Sequence, residues 1–179
     1  MRGRSSGLAC VVALVLSGLV LSGSGARAEA PENALTLEPL AVVFARTIAL
    51  EYERGFGPVG LALGAAVGLG DVSHQSSGRS GDFMALGLTL SVRVYPWDLA
   101  PRGAFFGPFA SLGWVEAEAG GERAAGLGGS VGALAGYTWV LGTSFILSGG
   151  AGLAWYEHEV GDGESGLFPT LRLAVGAAF

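Results

Sequence analysis

Between positions 83 and 95 the chain alternates without a break. Met84, Leu86, Leu88, Leu90, Val92 and Val94 share one parity, and Phe83, Ala85, Gly87, Thr89, Ser91, Arg93 and Tyr95 share the other. Period two belongs to the extended strand, and here it sets a wholly apolar face against a face that is mostly small or polar. The same arrangement recurs in Val59, Leu61, Leu63, Ala65, Val67 and Leu69 against Gly60, Ala62, Gly64, Ala66, Gly68 and Gly70. It returns at the end as Leu171, Leu173, Val175, Ala177 and Phe179 against Thr170, Arg172, Ala174, Gly176 and Ala178.

The uncharged tract from Ala124 to Tyr156 is long enough to imitate a membrane helix, but nine of its 33 residues are Gly. Each Gly costs about 1 kcal/mol against Ala inside a helix. The tract also keeps period two, with Leu127, Val131, Ala133, Ala135, Tyr137 and Trp139 opposite Gly128, Ser130, Gly132, Gly136 and Thr138, and Leu134 the lone large exception on the second face. It therefore reads as two strands joined by a turn.

Collecting such segments predicts eight strands, at 34 to 43, 47 to 54, 59 to 70, 83 to 95, 104 to 116, 127 to 140, 144 to 157 and 167 to 179. Most exceed the roughly 9 to 11 residues that a tilted strand needs to cross a bilayer. The second, fourth and sixth connections are short, whereas the third, fifth and seventh are longer and carry Asp71, Arg79, Asp82, Glu118, Glu122, Arg123, Glu159, Asp162 and Glu164. Short turns on one side and charged loops on the other are the asymmetry of outer-membrane barrels, with both termini on the periplasmic side. The first connection, 44 to 46, breaks that alternation by being short. Pro39, Pro108 and Pro169 fall inside predicted strands, where they cannot donate to a ladder, so bulges are expected at Gly107-Pro108 and near Pro169. The expected fold class is all-β, an eight-stranded antiparallel up-and-down transmembrane β-barrel.

Residues 1 to 28 have the form of a secretory signal, with Arg2 and Arg4, an apolar run from Leu8 to Leu21, and Ala26-Arg27-Ala28 as a small-x-small cleavage site. Cleavage after Ala28 leaves residues 29 to 179 as a single barrel domain and removes Cys10, the one cysteine. The remaining chain carries seven Arg and no Lys against 15 acids, a net charge of 7 − 15 = −8. Nucleic acid and other anions held by charge alone are thereby disfavoured.

Alternation by itself also suits a soluble barrel, whose apolar face points inward. The composition of the second face decides. Gly, Ala, Ser and Thr are too small and uncharged for a surface in water, but they suit a lumen that eight strands leave only wide enough for side chains. The apolar face then meets lipid, and aromatic residues gather at its two ends. Tyr52, Phe106, Trp139, Phe145 and Phe179 lie toward one rim and Trp114 and Trp155 toward the other, a girdle on each side of an apolar band.

The cleavable signal, the eight amphipathic strands and the terminal Phe179 with apolar residues at alternate preceding positions resemble the small OmpA/OmpX-type outer-membrane barrels. The run Pro101-Arg102-Gly103-Ala104-Phe105-Phe106-Gly107-Pro108-Phe109, with Leu50-Glu51-Tyr52-Glu53 before it, is similar to uncharacterised single-barrel families of this class. The resemblance spans residues 29 to 179. It implies outer-membrane lipid and lipopolysaccharide as surroundings, recognition of the last strand by the barrel assembly machinery through Phe179, and a monomer. Ala177 departs from the pattern, since many members have an aromatic there.

Five charges sit well inside predicted strands, away from their ends: Glu38, Glu51, Glu53, Arg93 and Arg172. All take the small or polar parity. On the lipid face an Arg costs about 2 to 4 kcal/mol near the midplane, so energy and parity agree on an inward placement. Inside a lumen these charges are expected to pair, with Glu38 near Arg172 because strands one and eight meet on closure. A structural ion-pair network is the expectation. His74-Gln75-Ser76 has a His-x-Ser spacing similar to that of lipid A deacylases of the same barrel size, although in that family the pair is C-terminal and strand-borne. His158 with Glu157, Glu159, Asp162 and Glu164 reads as a solvated acidic loop, without calcium-loop spacing. No catalytic group, metal or cofactor is assigned. The expected role is structural or interactive, with a lumen filled by side chains. A lipid A-modifying barrel enzyme and a soluble periplasmic barrel carrying an apolar ligand are the alternatives.

Overall fold

A computed structural model of the protein describes residues 31–74, 79–119, 122–158 and 165–179. These residues form strands β1 (Asn33–Leu37), β2 (Thr47–Phe56), β3 (Val59–His74), β4 (Arg79–Val94), β5 (Gly103–Ala119), β6 (Glu122–Leu141), β7 (Phe145–His158) and β8 (Gly166–Ala178), with one short helix, α1 (Pro39–Ala45). Every strand pairs with its sequence neighbour in antiparallel sense, and β1 pairs with β8 to close the barrel. The predicted signal at 1 to 28 lies outside the described residues.

Cross-strand partners climb as they circle the wall. Starting at Gly176 on β8, they run through Thr36, Glu51, Gly64, Thr89, Ser111, Ser130 and Tyr156 and return to Gly166 on the same strand, ten residues further up (176 − 166). That stagger sets the strand tilt and leaves a bore about wide enough for side chains. All nine residues of this belt have the inward parity, and most are Gly, Ser or Thr.

The alternate positions point outward. Leu88, Leu112 and Val131, all 60% exposed, mark the middle of an apolar outer surface. Below the outer rim, where Tyr156 and Phe168 are exposed, the inward positions are mostly buried or half-buried, so the molecule is inverted relative to a water-soluble barrel. Glycines on the inner face leave room for large neighbours. A Cβ at Gly60 would collide with the Glu53 carboxylate, and one at Gly136 would press on the Phe105 ring.

Three expectations need correction. The first strand, expected over 34 to 43, stops at Leu37, and Pro39–Ala45 is helical. Pro39 occupies the first helical turn, where its missing N–H costs nothing, and Arg46 closes the helix in the left-handed region with φ 48°. The run Leu40 to Ala45 is continuously apolar, so periodicity does not separate helix from strand there. The first connection is therefore a helix that turns the chain back partway up the wall.

The expected bulges are also absent. β7 and β8 keep one register from Phe145↔Ala177 to Tyr156↔Gly166, straight past Pro169. Phe179 N–H donates to Asn33 O of β1, whereas Ala178 N–H donates to Ser144 O next to β7. Backbone groups alternate along a strand, so odd positions of β8 face the β1 side. Pro169 is odd, and β1 reaches only as far as Leu37 opposite Val175. Its missing N–H therefore falls on an edge where there is no strand to receive it. At Pro108 the β4–β5 ladder lapses between Ser91↔Phe109 and Val94↔Phe106 and resumes in the same register. Gly107 lies so close to the Val92 carbonyl that a Cβ would not fit.

Third, the long third and fifth connections are largely ladder, while most of the seventh lies outside the described residues. β3 and β4 pair up to His74↔Arg79, and β5 and β6 up to Ala119↔Glu122. Beyond the apolar band both faces of a strand meet water. The binary pattern fades there while the backbone hydrogen bonds continue.

Candidate functional site

The inward charges converge near the foot of the lumen. Glu51 and Glu53 are two residues apart on β2 and share its inner face, as Arg93 and Tyr95 do at the end of β4. Between these strands β3 presents Gly60, Ala62 and Gly64 inward, so side chains of β2 and β4 meet over it. Arg172 descends from β8. Because β1 ends at Leu37, little of β1 stands between Arg172 and β2. Glu38 lies in no strand, contrary to expectation. It is the residue between β1 and α1.

Glu51 is the hub. Its Oε2 accepts a hydrogen bond from Arg93 Nη2 at 2.6 Å, and its Oε1 accepts one from Arg172 Nη2 at 2.6 Å. Arg93 Nη1 donates to Glu53 Oε2, and the Tyr95 hydroxyl donates to Glu53 Oε1 at 2.7 Å. Arg172 Nη1 donates to Ser148 Oγ at 2.7 Å, and Ser148 also hydrogen-bonds Thr138, Oγ to Oγ1, at 2.9 Å. Glu51, Glu53, Arg93 and Arg172 are all buried. Arg172 Nε lies 3.4 Å from Glu38 Oε1 without forming a hydrogen bond. The expected partnership of Glu38 and Arg172 is thus a looser ion pair beside the tight one that Arg172 makes with Glu51.

Around this network the lumen is packed by Tyr95 and Phe105, whose ring centres are 5.7 Å apart, with Arg93 Cζ 5.3 Å from the Phe105 ring centre. Above it is a cavity of about 250 Å³ that Glu38, Arg172, Thr89, Phe109 and Tyr156 help to line. The lumen is therefore filled at its foot and hollow higher up, where complete filling was expected. Near the outer end, Tyr156 and Phe168 meet edge to face with ring centres 6.0 Å apart.

Tyr52, Phe106, Trp114, Trp139, Phe145, Trp155 and Phe179 all lie on the outer surface and are exposed. The Tyr52 hydroxyl donates to Asn33 Oδ1 at 2.7 Å. Tyr137 stacks on Trp139 at 4.8 Å, and Trp97 stands out 84% exposed in the β4–β5 turn. Parity already aligned Tyr137 with Trp139. Trp97 lies in a turn, where alternation carries no signal.

The remaining sequence candidates are not brought together. His74 ends β3 and His158 ends β7, while Ser76, Glu159, Asp162 and Glu164 lie outside the described residues. Among the described residues there is no group of three or more His, Cys, Asp or Glu side chains placed to hold a metal. Sequence reasoning missed the Tyr95, Ser148 and Thr138 hydroxyls as partners of the network. The first lies two residues from Arg93 on the same parity and was legible. The other two needed the β6–β7 register.

Closed wall, apolar exterior and charged interior define a class, the small eight-stranded antiparallel barrel of the outer-membrane type. No family model matches the chain, and no curated protein matches it. Among solved structures it is similar to Ail, the attachment invasion locus protein of Yersinia pestis, in complex with the heparin analogue sucrose octasulfate. The TM-score is 0.52 at 13% identity, covering 83% of this chain and 99% of Ail. A second Ail crystal structure aligns over the same shares at the same identity, with a TM-score of 0.49. At this identity the likeness is one of fold.

Proposed function

We propose that this chain is an integral outer-membrane β-barrel protein with a structural or interaction role. The carrying observation is the reversal of its faces, with Leu and Val exposed around the wall, aromatic side chains at both ends of that belt, and four buried charges hydrogen-bonded inside. In water such a surface would drive association, whereas in a bilayer it is the favourable one. The reading includes export by a signal cleaved after Ala28, assembly through the last strand ending in Phe179, contact with outer-membrane lipid and lipopolysaccharide, and a monomeric state. The narrower OmpA/OmpX-type affiliation is part of it.

The Glu51-centred network acts in this reading as a structural plug. Its carboxylates and guanidiniums pair with one another, and the Ser148 and Tyr95 hydroxyls beside them are held in its hydrogen bonds. The barrel is accordingly read as having no enzymatic role, and the purified protein is expected to give no large, stable single-channel steps in planar bilayers. The hairpins that rise beyond the apolar belt supply the surface for interaction. Ail was crystallised with a sulfated sugar, but the excess of acids in residues 29 to 179 argues against a similar polyanion here. The test is electrophoresis of isolated outer membranes with and without boiling. A band that changes mobility on boiling supports the reading, and recovery of the protein in the soluble periplasmic fraction contradicts it.

A further inference from the structure

One stretch of the wall is unlike the rest. β1 pairs with β8 only over Val175 to Ala178, so residues 166 to 174 of β8 have β7 on one side and no strand on the other. The helix α1 packs between β2 and β8 in that gap. Seven residues of helix are about 10 Å long, so α1 stands in for only part of the missing wall. In hydrocarbon an open strand edge is costly, because nothing there solvates its N–H and C=O groups. Pro169 lies on this edge and cannot donate, which obstructs pairing with an added strand. The gap is therefore poorly made as a socket for a strand.

The lumen cavity is lined from both sides of this seam. Its lining takes Glu38 and Leu50 from one side of the gap and Thr170, Leu171 and Arg172 from the other. Leu171 is 74% exposed at the edge. Three carboxylates and two guanidiniums meet around the cavity floor, so one negative charge is in surplus. Glu51 accepts hydrogen bonds from both arginines, and Glu53 accepts from Arg93 and the Tyr95 hydroxyl, so all four of their oxygens are engaged. Glu38 has only the 3.4 Å approach of Arg172 Nε, and its side chain keeps 29% of its surface. The surplus thus falls on Glu38, at the sill of the seam. Arg172 Nε and Ser91 Oγ, both lining residues' atoms, are buried without a hydrogen-bond partner in the protein. Ser91 Oγ can accept from the polar end of a ligand, whereas Arg172 Nε–H, a cationic donor, can serve only Glu38.

Resting on the reading of the chain as a membrane barrel, we propose that the seam between β8 and α1 is a lateral doorway for a single-chain amphiphile with a cationic ammonium head. The head enters the cavity and sits at Glu38, and the hydrocarbon tail trails past Leu171 into the outer leaflet. A carboxylate head is rejected because it adds a negative charge to a lumen already in negative excess. The tail remains in lipid, so the small cavity has only the head and its first carbons to hold.

The experiment is NMR of the isotope-labelled barrel in phosphatidylcholine nanodiscs, titrated with dodecylamine and, separately, with dodecanoate. Dodecylamine is expected to give saturable shifts confined to residues 38–46 and 166–174 and to the Arg172 Nε–H resonance, with dodecanoate at least about tenfold weaker. Glu38→Gln should weaken the dodecylamine response about tenfold, and Glu38→Asp should restore most of it. Equal responses to the two probes, shifts spread evenly round the wall, or an unchanged Glu38→Gln titration would overturn the doorway while leaving a heat-modifiable membrane barrel intact. Cross-linking of two copies through β8 in the same nanodiscs would also overturn it, in favour of an interface. Failure to enter nanodiscs as a heat-modifiable species would overturn the membrane reading and the doorway with it.

Discussion

The foot of the lumen and the seam beside β8 are built from the same kind of strand and solve opposite problems. At the foot, β1, β2 and β8 are laddered on both sides, and inward carboxylates, guanidiniums and hydroxyls consume one another's hydrogen bonds. At the seam, β1 has ended, the backbone of β8 faces no strand, and Pro169 is accommodated because no ladder bond is asked of it. The comparison teaches that closure of this barrel is a property of its lower half. A short first strand lowers one panel of the wall, and a seven-residue helix with a carboxylate at its start fills only part of that panel.

The largest expected effect is at the hub of the closed half. Glu51→Leu strips the tight carboxylate partner from two buried guanidiniums and should destabilise the barrel by about 3 to 5 kcal/mol in denaturant unfolding in detergent. Adding Arg172→Met should recover part of that loss. The coupling of Arg172 with Glu51 should exceed its coupling with Glu38, whose contact is longer and not a hydrogen bond. Equal couplings would remove the distinction between hub and sill.

Next comes the lipid-facing belt between the two regions. Leu88→Arg, in the middle of β4, should cost about 2 to 4 kcal/mol and reduce insertion. Thr89→Arg, one residue along, points a guanidinium at the cavity and the surplus carboxylate, and should be tolerated better. A membrane-assembly assay comparing the two reads the register directly, and equal tolerance would contradict it.

The smallest effects sharpen the contrast between the two edges of β8. Thr170 faces β7, so Thr170→Pro removes a ladder donor and strands a β7 carbonyl, at about 1 to 3 kcal/mol. Pro169→Ala, on the seam side, should stay within about 0.5 kcal/mol of the parent. A cost at Pro169→Ala as large as that of Thr170→Pro would mean that the seam edge is engaged.

How much of this could be read in advance depends on where a residue's two faces lie. From Val59 to Leu69 and from Met84 to Val94 one face meets hydrocarbon and the other a narrow lumen, and the alternation is unmistakable. Above Phe83 and Trp114 both faces are wet, so Asp82, Glu118 and Arg123 looked like loop although they are paired in ladders. At Leu40 to Ala45 every residue is apolar, and periodicity had nothing to measure. Parity named the five lumen charges, but their partners depend on the stagger. That stagger brings β8 over β2 and makes Glu51, not Glu38, the tight partner of Arg172. Parity places Tyr95 in the lumen beside Arg93, and the structure adds the bond from its hydroxyl to Glu53.

The contrast between a laddered edge and an open one can be measured bond by bond through scalar couplings across backbone hydrogen bonds of the folded barrel. The amides of Phe168, Thr170 and Arg172 should couple to the carbonyls of Ala154, Gly152 and Gly150 across β7, their cross-strand partners. The amides of Leu167, Leu171 and Leu173 should show no coupling to any carbonyl. Couplings from these odd-numbered amides to the segment 38 to 46 would mean that the wall is closed along its whole height, and would contradict the account.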